Sequence, residues 1–126
     1  MTRGIIYVVY GDEYDKIGSA CCRISRQHTD LPFHVIANHE RTDRWDGIGN
    51  ISWAPFKREQ GENRVAKLKA PMLSPFDQTL YLDCDSIIQR SGIDLLFDLL
   101  DRNDIVLYQC FRWEKGDKVL NIYKRA

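Results

Sequence analysis

Residues 4–10 read GIIYVVY and residues 33–37 read FHVIA. Both stretches are rich in β-branched and aromatic residues, which is typical of strands buried on both faces of a parallel sheet. Between them, an apolar stripe with positions three or four residues apart predicts an amphipathic helix over residues 14–28. Its predicted inward side chains are Ile17, Cys21, Ile24 and His28. A strand, a helix and a strand in this order predict a right-handed parallel unit.

The same kinds of pattern continue along the chain. Further strands are predicted at residues 51–54, 79–82, 104–109 and 119–123, and further helices at residues 61–73 and 95–101. The predicted inward residues of these helices are Val65, Leu68 and Met72 or Leu73, then Leu96, Phe97 and Leu100. No repeat or linker interrupts the pattern. We therefore predict one domain over residues 1–126, of α/β class, with a Rossmann-like, mostly parallel open sheet and flanking helices.

The composition excludes some classes of partner. The chain has 126 residues, with 18 Lys and Arg against 18 Asp and Glu, so its formal net charge is zero. A protein that neutralises nucleic-acid phosphates carries a basic excess, so no nucleic-acid partner is expected. No apolar run approaches the ~20 residues needed to span a bilayer, so no membrane span is expected. Residues 1–4 show no signal-peptide pattern, which predicts a cytoplasmic location.

The most informative motif is YLDCD at residues 81–85. It places Asp83 and Asp85 at the carboxyl end of a predicted strand, where ligands bind in open α/β sheets. Residues i and i+2 of a strand share a face, so both carboxylates can point into one crevice and repel each other. A hard divalent cation, Mg²⁺ or Mn²⁺, relieves that repulsion. The alternative is that Asp83 caps a turn and Asp85 is solvated.

Basic residues precede this motif. Lys67 and Lys69 lie in the predicted helix over residues 61–73, with Arg64 beside them and Arg58 upstream. A lysine is a suitable point-charge partner for phosphate oxygens. One or two of these residues can therefore neutralise a diphosphate together with a metal, or they can simply form a solvated helix face.

Residues 73–86 (LSPFDQTLYLDCDS), together with the opening strand, helix and strand, resemble GT-A glycosyltransferases. The glycogenin-like and related nucleotide-diphospho-sugar transferases are closest in pattern. In that family a helix bearing Lys-Leu precedes the Asp-x-Asp strand, and Lys67-Leu68 match it here. The resemblance implies that Lys67 contacts the donor phosphates. It also implies that Asp83 and Asp85 bind Mn²⁺ or Mg²⁺, with Asp83 near the donor ribose or sugar.

The same resemblance implies a nucleoside site at the end of the first strand. Tyr10, Gly11 and Asp12 match the position where the family cradles the nucleoside. Arg64 or Arg58 corresponds to the family's basic residue upstream of the lysine. The expected ligand is a nucleotide-sugar donor, with a UDP-sugar favoured, and the expected reaction transfers the sugar to an acceptor hydroxyl of unknown identity. The metal and Lys67 would stabilise charge on the departing diphosphate.

Other features favour alternatives. Family members are longer, and their later part supplies the acceptor site and commonly a histidine ligand, whereas the three histidines here all precede Asp83. The chain can therefore be a shortened, catalytically inactive module that binds a nucleotide sugar or a partner. A nucleotidyltransferase also uses paired carboxylates, but no glycine-rich signature loop is present.

A second copy is expected to cover the edge of a truncated sheet, giving a homodimer.

Aromatic and histidine side chains supply further candidates. Trp45 and Trp113 can stack on a sugar, although packing in the core is the more common use of tryptophan. His39 follows the second predicted strand and can touch a base or serve only in its loop.

Overall fold

The computed structural model describes residues 1–106, 110–114 and 117–121, and the side chains of residues 1–106. Its centre is a four-stranded sheet in which every pair of neighbouring strands is parallel. The strands are β1 (Arg3–Val9), β2 (Phe33–Ala37), β3 (Ile51–Ala54) and β4 (Gln78–Tyr81), in the spatial order β3-β2-β1-β4. The predicted α/β class and these four strands are confirmed.

The strand order creates a switch in direction beside β1. From β1 the chain moves outward through β2 to β3, and it then returns to place β4 on the opposite side of β1. In the register, Val9 is opposite Ala37 and Ile6 is opposite Tyr81, so the carboxyl ends of the three strands share one edge. Ligands of open α/β sheets bind outside the carboxyl ends at such a switch.

The helix after β1 packs on the sheet through its smallest residues. Helix α1 (Gly11–Ser25) buries Gly18, Ser19, Cys22 and Ser25, whereas Ile24 is 42% exposed. Of the predicted inward residues, Ile24 is exposed and Ile17, Cys21 and His28 are only half-buried, so the predicted inward face is not the one that packs on the sheet. The reason is close approach, because a Cβ on Gly18 would already lie 3.4 Å from side-chain atoms of Val9, Trp45 and Cys84. A helix this near the sheet buries small side chains and turns larger ones outward.

The opposite face of the sheet is covered by α2 (Asn63–Leu73). Ala66 and Ala70 are fully buried against Ile6, Val8 and Ile36. The predicted inward residues are instead exposed, namely Val65, Leu68, Met72 and Leu73. Two alanines one turn apart again allow the close contact that larger residues would prevent. Pro71 lies in the last turn and the helix continues past it to Leu73.

The segment after β4 differs most from expectation. The helix predicted over residues 95–101 is a 3₁₀-helix that covers Ile93–Asp101. It buries Phe97 as predicted, while Leu96 is 48% exposed. Residues 104–106 are exposed and lie outside any strand, and the rest of the predicted strand 104–109 falls outside the described residues. The backbone of β5 (Cys110–Glu114) pairs antiparallel with β6 (Asp117–Asn121), which overlaps the predicted strand 119–123.

No helix in the described ranges has both the length and the apolar character needed to cross a membrane.

Candidate functional site

The structure brings Lys67 and Asp83 together at the carboxyl end of β4. Lys67 projects from α2, and its Nζ lies 3.5 Å from Oδ1 of Asp83. The hydroxyl of Tyr81 donates a hydrogen bond of 2.8 Å to the same oxygen. Both members of the ion pair are accessible, with 40% of the Lys67 side chain and 56% of the Asp83 side chain exposed. The pair is therefore accessible from solvent.

Tyr81 was not singled out from the sequence. Its ring is partly buried and packs against the Ile6, Val8 and Ala66 cluster beneath α2. Burial, reinforced by the hydrogen-bonded carboxylate of Asp83, raises the pKa of Tyr81 well above its usual range. The phenol therefore remains a protonated donor. The available sequence signal was its position two residues before Asp83, a spacing that puts two side chains on one face of an extended segment.

Asp85 sits in a turn rather than in the strand. The strand predicted through Leu82 ends at Tyr81, and the amide of Ser86 donates to the carbonyl of Asp83 at 2.9 Å, which closes the turn. Cys84 points inward and is buried, whereas Asp83 and Asp85 are exposed. Asp83 contacts α2 through Lys67, whereas Asp85 lies toward α1. Burial of the Cys21 thiol and the nearby charge of Asp85 both raise the pKa of Cys21. The two carboxylates therefore stand at the edge between the two helical layers.

The donor set at this edge suits a hydrated hard cation. Within residues 1–106, no group of three or more His, Cys, Asp or Glu side chains is placed to hold a metal. Mg²⁺ is commonly held by one or two carboxylates, with waters and substrate phosphates completing its shell. Two exposed carboxylates fit that mode of binding and do not fit a closed, all-protein metal site.

A second element of the site is an open cleft of about 500 Å³. It lies outside the ends of β1 and β2 and at the start of α2. The lining residues are Tyr10, Asn38, Phe56, Gly61, Glu62 and Asn63. Phe56 presents a ring that is 48% exposed, and asparagine amides supply polar groups. An aromatic face with a few placed polar groups is typical of small-molecule sites.

Buried Gln60 holds the wall of this cleft. Its Nε2 donates to the carbonyl of Ala37 at 3.0 Å and to the hydroxyl of Tyr10 at 2.8 Å. The Tyr10 hydroxyl donates in turn to the carbonyl of Gly61 at 2.8 Å. Gly61 has φ +74°, a conformation that favours glycine. The ends of β1 and β2 are thereby tied to the loop that leads into α2.

Gly11 and Asp12, predicted for the nucleoside site, have other contacts. The amide of Gly11 donates to Oδ1 of Asn38 at 2.9 Å, which fixes one cleft residue. Asp12 accepts a 2.7 Å hydrogen bond from Arg44 and also faces Lys16 at 3.5 Å. The hydrogen bond and charge of Arg44 lower the pKa of Asp12. Neither residue is part of the cleft lining described above; of the three predicted residues, only Tyr10 is.

Asp15 was not singled out from the sequence. It is 1% exposed and accepts hydrogen bonds from Thr42 Oγ1 at 2.6 Å, Trp45 Nε1 at 2.8 Å and Arg44 Nη1 at 2.9 Å. Burial opposes its ionisation, but these three bonds outweigh burial and lower the pKa of Asp15. His39 Nε2 lies 3.6 Å from the same carboxylate. The cluster fastens the loop that follows Asn38 to the start of α1.

The structure also places the remaining basic and aromatic candidates, except the side chain of Trp113. Lys69 donates to the carbonyl of Glu59 at 2.7 Å and so supports the loop before α2. Arg64 and Arg58 are exposed and make no ion pair or side-chain hydrogen bond within residues 1–106. Trp45 is fully buried, so of the two uses considered for it, packing in the core is the one observed and stacking on a sugar is excluded. The side chain of Trp113 lies outside the described part of the chain.

Compared with models of known protein families and with curated proteins, the chain finds no match in either set.

Proposed function

We propose that the protein binds a nucleotide-diphospho-sugar through a divalent metal and transfers the sugar to an acceptor hydroxyl, as a GT-A-type glycosyltransferase does. The observation that supports this function best is the Lys67–Asp83 pair, which stands at the switch point of a parallel sheet. An aromatic cleft lies outside the ends of β1 and β2 of the same sheet. A cation and a carboxylate side by side suit a ligand that is itself a metal and phosphate complex.

The cleft outside the ends of β1 and β2 is the proposed nucleoside site. Phe56 offers an exposed face for stacking, and stacking on an aromatic ring stabilises any base. Because Gly11 already donates to Oδ1 of Asn38, the Nδ2 group of Asn38 is left to donate to a carbonyl oxygen. Uracil carries two such oxygens. A UDP-sugar is therefore the donor we favour.

Asp83 and Asp85 would hold Mn²⁺ or Mg²⁺ in the proposed site. When bound, such a metal neutralises charge on a diphosphate leaving group. Lys67 adds a second positive charge from α2, and that charge is most useful as the bond to the sugar breaks. Arg64, one turn before Lys67 and without an ion pair within residues 1–106, adds positive charge to the same helix. The acceptor and the stereochemical course are not part of the proposal.

A second candidate is a shortened, inactive module that binds a nucleotide sugar or a protein partner without turnover. It is favoured by the small number of ligands, since residues 1–106 place no third histidine, cysteine or carboxylate with Asp83 and Asp85. Binding without donor hydrolysis would select this candidate.

Calorimetric titration with UDP-sugars and GDP-sugars, with and without Mn²⁺, tests the proposal. We expect UDP-sugar binding that Mn²⁺ strengthens, and we expect Asp85→Ala to remove the metal dependence. Asp30→Ala is the matched control, because Asp30 is exposed on the connection before β2. Phe56→Ala should weaken binding about tenfold with and without metal, as loss of one stacked base would. Binding that is unchanged in Asp85→Ala would remove the metal site from the proposal.

A further inference from the structure

Two exposed apolar surfaces, one surrounded by basic residues and one by acidic residues, lie on opposite layers of the protein. We infer that these surfaces bind each other between molecules, so that α2 of one copy docks on the 3₁₀-helix of a second copy. The protein then associates head to tail, and the occupant of each surface is another copy of the same chain.

The first surface is the outer face of α2. Val65, Leu68 and Met72 are 40%, 83% and 85% exposed, and their spacing of three and four residues places them along one side of the helix. Ala66 and Ala70 lie on the opposite side, where they are buried against the sheet. A monomeric protein rarely exposes a contiguous group of large apolar side chains unless it binds a partner there. Val65, Leu68 and Met72 form what we call the α2 surface.

Positive charge surrounds the α2 surface. Residues 57–69 carry five Lys and Arg side chains against two Glu, a formal net charge of +3. With 3.6 residues per turn, Arg64 and Lys69 lie on either side of the apolar stripe. The α2 surface therefore suits a partner surface that is apolar and has acidic residues around it.

The 3₁₀-helix offers a surface of that kind. Leu95, Leu96 and Leu99 are 69%, 48% and 47% exposed and form what we call the 3₁₀ surface. Residues 94–104 carry four Asp side chains against one Arg, a formal net charge of −3. Asp101 is exposed and lies two turns from Leu95 on the same side of the helix, because a 3₁₀-helix repeats every three residues. Acidic and apolar groups are thus interleaved here.

The two surfaces belong to opposite layers of the molecule. Helix α2 packs on Ile6 and Val8, whereas the 3₁₀-helix begins at Ile93, which packs with Ile5 and Tyr7 on the other face of the sheet. One molecule therefore presents the two surfaces in different directions. A contact between them joins two unlike surfaces of two copies, and contacts of this kind build rings or open chains.

The charges determine which surfaces meet. Two α2 surfaces repel each other, and so do two 3₁₀ surfaces, whereas one of each attracts. Every molecule carries both surfaces, so a complementary partner is present at the concentration of the protein itself. A second copy is for this reason the occupant that the chain itself supplies.

Sedimentation velocity over a range of protein concentrations tests the inference. We expect the average mass of the wild type to rise with concentration, and less so when NaCl is raised from about 50 to 500 mM, because salt screens the charges. The double variant Leu68→Gln, Met72→Gln should associate about tenfold more weakly, since it loses two apolar contacts. The double variant Leu95→Gln, Leu99→Gln should lose a similar amount.

Mixing the two double variants gives the sharpest result. Each retains one intact surface, so the mixture should form a one-to-one dimer and no larger species, although each variant alone stays monomeric at the same concentration. The single variant Leu95→Gln should show a smaller loss in the same direction if the double variant does not fold. Tyr14→Gln is the matched control, because Tyr14 is 44% exposed on α1 and its loss should not change association.

Three outcomes would overturn the inference. The first is a wild type that stays monomeric up to about 1 mM, where even a weak contact is populated. The second is self-association of the Leu95→Gln, Leu99→Gln variant equal to that of the wild type, which would show α2 surfaces binding each other. The third is a mixture of the two double variants that forms no dimer.

Discussion

Replacement of Asp15 by asparagine is expected to destabilise the protein strongly. Asp15 is 1% exposed and accepts three hydrogen bonds of 2.6 to 2.9 Å, from Thr42, Trp45 and Arg44. A hydrogen bond to a charged group contributes about 1.5–3 kcal/mol, and an amide turns two donors toward a site that already contains donors. The variant leaves at least one bond unmade and the Arg44 charge without its buried partner. We expect a loss of about 3 kcal/mol in the free energy of unfolding.

That loss is large beside the 5–15 kcal/mol that stabilises a typical domain. For a chain of this length it corresponds to a fall in Tm of about 12 °C. Urea titration followed by circular dichroism at pH 7 measures it. Asp12→Asn is the control, because Asp12 also bonds Arg44 but is 71% exposed, and it should change stability far less.

The pH dependence gives an independent check on Asp15. Its folded pKa lies below the ordinary value of 3.8, so its stabilisation is complete above that value and is lost as pH falls through the lower folded pKa. In Asp15→Asn the free energy of unfolding should depend less on pH in this acidic range. The reasoning is refuted if Asp15→Asn changes the unfolding free energy by less than about 1 kcal/mol. It is also refuted if a double-mutant cycle of Asp15→Asn and Thr42→Val shows no coupling free energy between the two residues.

Two further outcomes follow from the core. A Cβ on Gly4 would overlap the ring of Phe76, so Gly4→Ala should cost about 1–3 kcal/mol in urea unfolding, and Phe76→Leu in the same chain should recover part of the loss. Burial raises the pKa of the Cys22 thiol from 9.0 to about 12. The contribution of this protonated thiol to the free energy of unfolding is therefore complete below pH 9 and declines toward pH 12. Stability measured at pH 8 and pH 10 should differ less in Cys22→Ala than in the wild type, and an equal difference would contradict this assignment.

The sheet was predictable because its strands are local and continuous apolar runs. The inward faces of the two helices were not predictable from hydrophobicity. Both helices lie close to the sheet, so the residues they bury there are small: Gly18 and Cys22 in α1, and Ala66 and Ala70 in α2. Residue volume at a helix–sheet contact depends on the distance between layers, which periodicity does not contain.

The site was predictable where it follows from strand order, and less so elsewhere. The proximity of Lys67 and Asp83 could be expected from a basic helix before an acidic strand end. Residues such as Asn38, Phe56 and Gln60 come from separate loops and meet only in three dimensions. The burial of Asp15 depends on donors nearly thirty residues later in the chain, and composition alone assigns an aspartate to the surface.

The position of β1 has a consequence for synthesis of the chain. β1 leaves the ribosome before the strands that pair with it, and it can pair with β2 once residue 37 is available. The other edge of β1 pairs with β4, which is synthesised much later: Arg3 donates a side-chain hydrogen bond to Gln78, 75 residues further along the chain. During translation, at about 5–20 residues per second, that edge of β1 stays unpaired for several seconds. Because both faces of β1 are apolar, a chaperone that shields nascent strands would act on this segment, between the folding of β2 and the arrival of β4.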